Sequence, residues 1–344
     1  MTAFLKVLNG GPLATIQDLG RFGFQRFGVP VSGALDPVSF RLANAVVGNP
    51  QSTAAVEMLA AGAIFEVEGP SVRVAVGGIG ATLEVTDGGA TRSFPAFRSV
   101  TARRGETIAV LRPPLASCCY LAIEGGLDLA PVLKSRSTYL RGGFGGFFGR
   151  ALRAGDRLPL CQPEAQARNE SGLAHMPALD GDEPIRVVLG PQADMMTEQA
   201  IETFLGSPFV VSRESDRMGM RLDGPRLAHR DGYNIISDGI ATGAIQVPGD
   251  GRPILLLADR QTTGGYPKIA TVASADIARV ARRRPGDRMH FRAVTVREAE
   301  AARRELERTI DREVAAIASI REAGIINLAA LYAENIVSGV LSRL

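Results

Sequence analysis

A mainly β fold is predicted by three features of this 344-residue sequence. Its 39 glycines and 20 prolines set a turn-rich rhythm, short β-branched runs recur between them, and no regular strand–helix alternation signals a parallel sheet. The runs are Val72 to Val76, Thr107 to Leu111, Tyr120 to Ile123, Ile185 to Leu189 and Ile254 to Leu257. The pairs Asn9-Gly10, Asp87-Gly88, Asp231-Gly232 and Asp250-Gly251 punctuate them, because these residues tolerate the positive φ of tight hairpins. Two helices interrupt the strands. One covers Pro37 to Val47, with Asp36 as N-cap and proline at its first position; the other covers Ala193 to Leu205.

A polar, Pro- and Gly-bearing stretch around Cys161 to Pro184 separates two comparable halves. The expected units are residues 1–162, a linker at 163–184, residues 185–297 and a tail at 298–344. Asp18-Leu19-Gly20-Arg21 in the first half is echoed by Asp216-Arg217-Met218-Gly219 in the second, as duplication of one β unit would leave it. The tail reads as two helices broken near Gly324. Leu306, Ile310, Val314 and Ile317 line one face of the segment Glu298 to Ile320, and Leu328, Leu331, Ile336 and Val340 mark Ile325 to Leu344. Such a tail either packs on the β region or joins two copies.

Composition excludes several classes. With 45% apolar and 22% charged residues the chain is globular. No apolar run approaches the roughly 18 residues of a membrane helix. Met1 to Pro12 holds one basic residue and no sustained apolar stretch, so no signal peptide is expected and the cytoplasm is the expected location. Three cysteines without CxxC spacing fit a reducing compartment. All but three of the 39 basic residues are arginines, yet the one dense cluster, Arg282-Arg283-Arg284 before Pro285-Gly286, reads as a solvated turn. Nucleic acid is therefore not an expected partner. His175, His229 and His290 lie far apart without metal-site spacing. A phosphate loop, a GxGxxG helix start, a GxSxG elbow and a biotinyl-lysine context are all missing.

Four segments carry more polar variety than turns require. In the first, Gln17, Asp18, Arg21, Ser32 and Asp36 stand beside glycines that permit close backbone approach, although an arginine–aspartate pair pinning a loop has the same residues. In the second, Arg141 to Asp156, successive glycines expose amides that can cradle an anion between Arg141 and Arg150, or simply form a turn. The third, Ser215 to Pro225, places Arg217 and Arg221 around Gly219, suited to a carboxylate or to internal pairing with Asp216 and Asp223. The fourth is the most unusual. Gln246, then an apolar strand, then Asp259, Gln261, Thr263, Gly264, Gly265, Tyr266 and Lys268 deliver an acid, amides, a hydroxyl, an aromatic and a lysine to one rim.

At these segments the sequence resembles the carboxyltransferase-domain family of urea carboxylase-like proteins. That family is also called allophanate hydrolase subunit 2-like and includes the C subunit of bacterial ATP-dependent 5-oxoprolinase. The resemblance is carried by Thr15 to Arg21, Gly33-Ala34-Leu35-Asp36, Phe144 to Arg150, Asp216 to Leu222 and Ala258 to Pro267. It implies two cyclophilin-like β-barrel subdomains followed by a tail longer than the family core. It also implies one of two activities. The first is ATP-dependent opening of an amide or lactam, in complex with a B-subunit homologue and a hydrolase of the A-subunit type. The second is transfer of a carboxyl group from carboxybiotin to urea or a related amide. A third possibility is a non-catalytic regulatory partner of a B-subunit homologue. The residues it points to as catalytic are Asp259, Gln261, Thr263, Tyr266 and Lys268. Those for substrate binding are Gln17, Asp18, Arg21, Asp36, Arg150, Arg217, Arg221, Gln246, Gly264 and Gly265. ATP, used by the complex, is the expected cofactor, and biotin replaces it only in the carboxyl-transfer case; no metal is expected.

Overall fold

The computed structural model describes residues 3–320, apart from 112, 114, 115, 176, 178, 180 and 182. The mainly β expectation holds. Strands between Phe4 and Pro159 form a six-stranded and a five-stranded sheet, and those between Ile185 and Ala293 form an eight-stranded sheet and a two-stranded one, Asp238–Gly239 with Thr263–Gly264; the eight-stranded sheet is the main one. The edges of that main sheet are Arg288–Met289 and Phe291–Ala293, which only His290 separates, so its two edges are drawn together and it nearly closes as a barrel. All five runs read from the sequence are strands, the last shortened to Ile254–Leu256. At Asn9-Gly10 the left-handed backbone falls one residue later, on Gly11, whose N–H donates to the Asn9 side chain.

Helix α1 (Pro37–Val46) begins as expected, with the Asp36 carboxylate accepting from the amides of Val38 and Ser39. It is wedged between two cores. Val38, Leu42, Ala43 and Val46 join the apolar cluster of the first half, while Phe40 joins Phe204, Phe209 and Ile245 in that of the second. The second helix is shorter than expected. Ala193–Met195 is a single 3-10 turn, and α2 (Glu198–Gly206) starts only after Met196 has bridged to His229 and Thr197 has capped Ala200.

Two further expectations need correction. Arg282 is not in a solvated turn: it ends α3 (Ile277–Arg282), is buried, and donates to both Asp36 oxygens at 2.6 and 3.1 Å. A run of three arginines conceals this, because the partner of Arg282 lies 246 residues away. In its described part the tail is helical as far as α4 (Val296–Ala315), which a Thr295–Glu298 capping box starts, and not on to Ile320. The chain then becomes a strand, Ile317–Ser319, pairing antiparallel with Ser171–Leu173. Ile310 of α4 is buried in the core of the first half, and Glu307 pairs with Arg41 of α1 at 2.8 Å, so this helix packs back on the β region. The second helix expected at 325–344 lies outside the described residues. Among the described residues no helix is long and apolar enough to cross a membrane.

Candidate functional site

The two halves meet where the strand Ile254–Leu256 runs out into the segment 257–263. There the Ser32 amide donates to the Ala258 carbonyl at 3.1 Å, and the Asp259 amide to the Arg217 carbonyl at 2.9 Å. Arg217 is the centre of this junction. Its guanidinium bonds Asp259 through Nε (2.8 Å) and Nη2 (3.2 Å), the Gly33 carbonyl through Nη2 (2.7 Å), and Glu57 through Nη1. Glu57 in turn accepts from the Leu35 amide and the Tyr120 hydroxyl, whose oxygen accepts from the Asp36 amide. Burial alone would lower the Arg217 pKa, but Glu57 and Asp259 outweigh it and the net shift is upward. Burial also pushes the Tyr120 hydroxyl well above its ordinary value, so it stays a neutral donor. Asp36, Arg217 and Asp259 thus form a continuous buried polar network across the junction.

Beside the network opens a cleft of about 1220 Å³. Its walls are apolar at Leu19, Val31, Ile240, Leu257 and at Leu306 of α4, and polar at Ser32, Arg260, Thr262 and Thr263. Arg260 is 3% exposed and donates only to carbonyls, Nε to Ile240 at 3.1 Å and Nη1 to Leu257 at 3.3 Å. Burial lowers its pKa to about 10, and no neighbouring carboxylate offsets the shift.

The predicted residues divide among several places. Thr263 lines this cleft, whereas Arg221, Gln246, Gln261 and Tyr266 line a second cavity of about 490 Å³. Gln246 is buried there, accepting from Gln261 Nε2 and donating to the Tyr266 carbonyl, each at 3.3 Å. Arg221 is half-exposed and pairs with Glu214 at 3.2 Å. Gly264 makes room for Gln246, since a Cβ there would lie 2.6 Å from its Nε2; Gly265 has space around it. Lys268 is buried and pairs with Asp238 at 2.9 Å, which holds that carboxyl below its ordinary value.

In the first half, Asp18 is saturated by the Gly20 and Arg136 amides and the Ser135 and Ser137 hydroxyls, so it fastens a loop. Gln17 bonds Thr15 and Thr138, leaving its Oε1 unpartnered. Arg21 lies under the glycine-rich loop, 4.9 Å from the Phe144 ring, donating to the Ser137 carbonyl. Burial lowers its pKa against the opposing pull of Asp18 and Asp259, and its Nε and Nη1 have no partner. Arg150 grips Asp156 with two bonds of 2.7 and 2.8 Å, closing its own loop. Arg260 lies within the sequence segment Ala258 to Pro267 and Ser32 within the first polar segment, yet neither is among the residues the sequence points to for catalysis or binding, and Arg282 reads there as part of a solvated turn.

Comparison with known proteins places these features in context. The family described as carboxyltransferase domain, subdomains A and B, matches residues 27–293. The chain is 34% identical to the C subunit of 5-oxoprolinase from Escherichia coli (strain K12) over 304 residues, which is 88% of this chain and 96% of that protein. It is 33% identical to the urea amidolyase of Lachancea kluyveri over 83% of this chain but 17% of that protein. Among solved structures, the K. lactis urea amidolyase superposes with a TM-score of 0.81 at 30% identity, over 90% of this chain and 20% of that one.

Proposed function

Because this chain belongs to the carboxyltransferase-domain family, we propose that it is the C subunit of an ATP-dependent 5-oxoprolinase-type amide hydrolase. In this reading it works in the cytoplasm with a B-subunit homologue and a hydrolase of the A-subunit type, on a small lactam or amide. The observation that carries the reading is the likeness to named 5-oxoprolinase C subunits, 34% identity over 88% of this chain for that of E. coli and 34% over 89% for that of Haemophilus influenzae.

The cleft chemistry supports it. Opening an amide places negative charge on its oxygen, and ATP-driven opening adds a phosphorylated intermediate; both are stabilised by fixed donors in a site poor in water. Arg260 and the Thr262 and Thr263 hydroxyls on the cleft wall supply such donors. The buried Arg217 network fixes the segment that bears them, so the donors need little reorganisation when charge develops. ATP is assigned to the assembled complex rather than to a named residue of this chain.

A second reading, a biotin-dependent carboxyltransferase acting on urea or a related amide, is favoured by the urea amidolyase likeness. Purification together with the products of neighbouring genes separates the two. We expect ATP hydrolysis that depends on 5-oxoproline in the assembled complex and negligible turnover by the isolated chain. ATP- and biotin-dependent carboxylation of urea, with 5-oxoproline inert, would replace the first reading by the second.

A further inference from the structure

We propose that Arg260 and Ser32 form an anion-binding subsite on the wall of the large cleft, taking a compact carboxylate or phosphate group of a small ligand. The inference rests on the amide-hydrolase reading only for its organic probe. Three other buried arginines in the described residues are each neutralised: Arg73 by Glu124 and Glu170, Arg217 by Glu57 and Asp259, and Arg282 by Asp36. A fourth, Arg21, lies over the Phe144 ring. Arg260 is as deeply buried as they are and has no carboxylate partner among the described residues. A buried charge without a counter-ion is costly, and a bound anion removes that cost.

Ser32 is the independent observation. It is 5% exposed, lines the same cleft, and its hydroxyl has no hydrogen-bond partner. Its φ of 55° lies in the left-handed region, where glycine would sit with less strain; what serine adds there is the hydroxyl donor. Its amide bond to Ala258 holds it within two residues of Arg260 on the opposing segment. A cation without a carboxylate partner among the described residues and an unpartnered hydroxyl, both buried, line one cleft, and an oxyanion satisfies both at once.

Calorimetric titration of the chain, and of its complex with the partner subunits, tests this with three probes: 5-oxoproline, inorganic phosphate and the uncharged lactam 2-pyrrolidinone. We expect at least one anion to bind and 2-pyrrolidinone to bind at least tenfold more weakly. Arg260→Met should weaken the anion by about 10- to 100-fold, the worth of one charge-assisted hydrogen bond. Its melting temperature should hold or rise, because the variant removes an unpaired buried charge. Ser32→Ala, which keeps the same backbone demand, should weaken binding by about tenfold and decides the matter if Arg260→Met does not fold. Binding of 5-oxoproline identifies a carboxylate subsite, and binding of phosphate alone a phosphate subsite. The proposal is overturned if neither anion binds the complex, or if binding is undiminished in the variants. Undiminished binding in a complex that hydrolyses 5-oxoproline removes the subsite but not the functional reading. Arg260-dependent phosphate binding in a complex inert to 5-oxoproline does the reverse.

Discussion

Asp259 and Gln261 stand two residues apart and do different work. Asp259 is buried against Arg217, so Asp259→Ala leaves that guanidinium in the interior with half its counter-charge. The expected cost is about 3–5 kcal/mol of folding stability, read by chemical denaturation. Gln261 makes one long bond at the edge of the smaller cavity, and Gln261→Ala should change stability by less than about 0.5 kcal/mol. Any loss of turnover in the complex with Gln261→Ala then reports on the cavity itself. Equal stability losses in both variants would mean that Gln261 also holds a loop. At this scale the sequence shows which residues are polar but not what each one does, because a duty depends on which partner arrives through space.

At the scale of elements, α3 and α4 are where distant pairing decides. Asp276, at the head of α3, receives the Arg186 amide and guanidinium at 2.6 to 3.0 Å and so ties the helix to the strand Ile185–Leu189. Burial alone would raise its pKa, but the Arg186 bonds outweigh it and the net shift is downward from 3.8. A depressed carboxyl pKa gives stability that is complete above the unfolded value and is lost as pH falls through the folded one. Denaturation midpoints should therefore drop below about pH 4, and Asp276→Asn should flatten that acid limb while lowering stability at neutral pH. An unchanged acid limb would assign the pH response to other carboxylates. In α4, Ile310→Ala should cost about 2–5 kcal/mol, since Ile310 is 1% exposed within the core of the first half. The apolar spacing in the tail reveals the helix and its buried face; it does not reveal that the chain turns into a strand at Ile317, because the edge it pairs with, Ser171–Leu173, lies in a stretch that reads as linker.

The whole molecule is held together at one junction with two components. The ion pairs join Glu57 and Asp36 of the first half to Arg217 and Arg282 of the second, and Asp259 shares the Arg217 guanidinium with Glu57. Around them, Leu35, Phe40, Ala55 and Tyr120 share one apolar cluster with Phe204, Phe209 and Ile245. A shared core makes the halves unfold as one unit. Scanning calorimetry should accordingly show one transition, and Arg217→Met, which strands two buried carboxylates, should keep it single while lowering its midpoint by several degrees. Two separated transitions in the unaltered protein would show instead that the halves fold independently.

What the sequence determines by itself is local: strands where β-branched runs alternate with turn pairs, the start of α1 where Asp36 precedes Pro37, and the family, from motifs that are contiguous in the chain. These follow from φ/ψ preferences and from hydrogen bonds made within a few residues. The tertiary structure alone decides that Arg217 meets Glu57 across 160 residues, that Arg282 meets Asp36 across 246, and that Arg260 meets no acid among the described residues. Charge pairing acts through space, so the partner of an arginine is set by which strands the fold lays side by side and not by the residues that flank it.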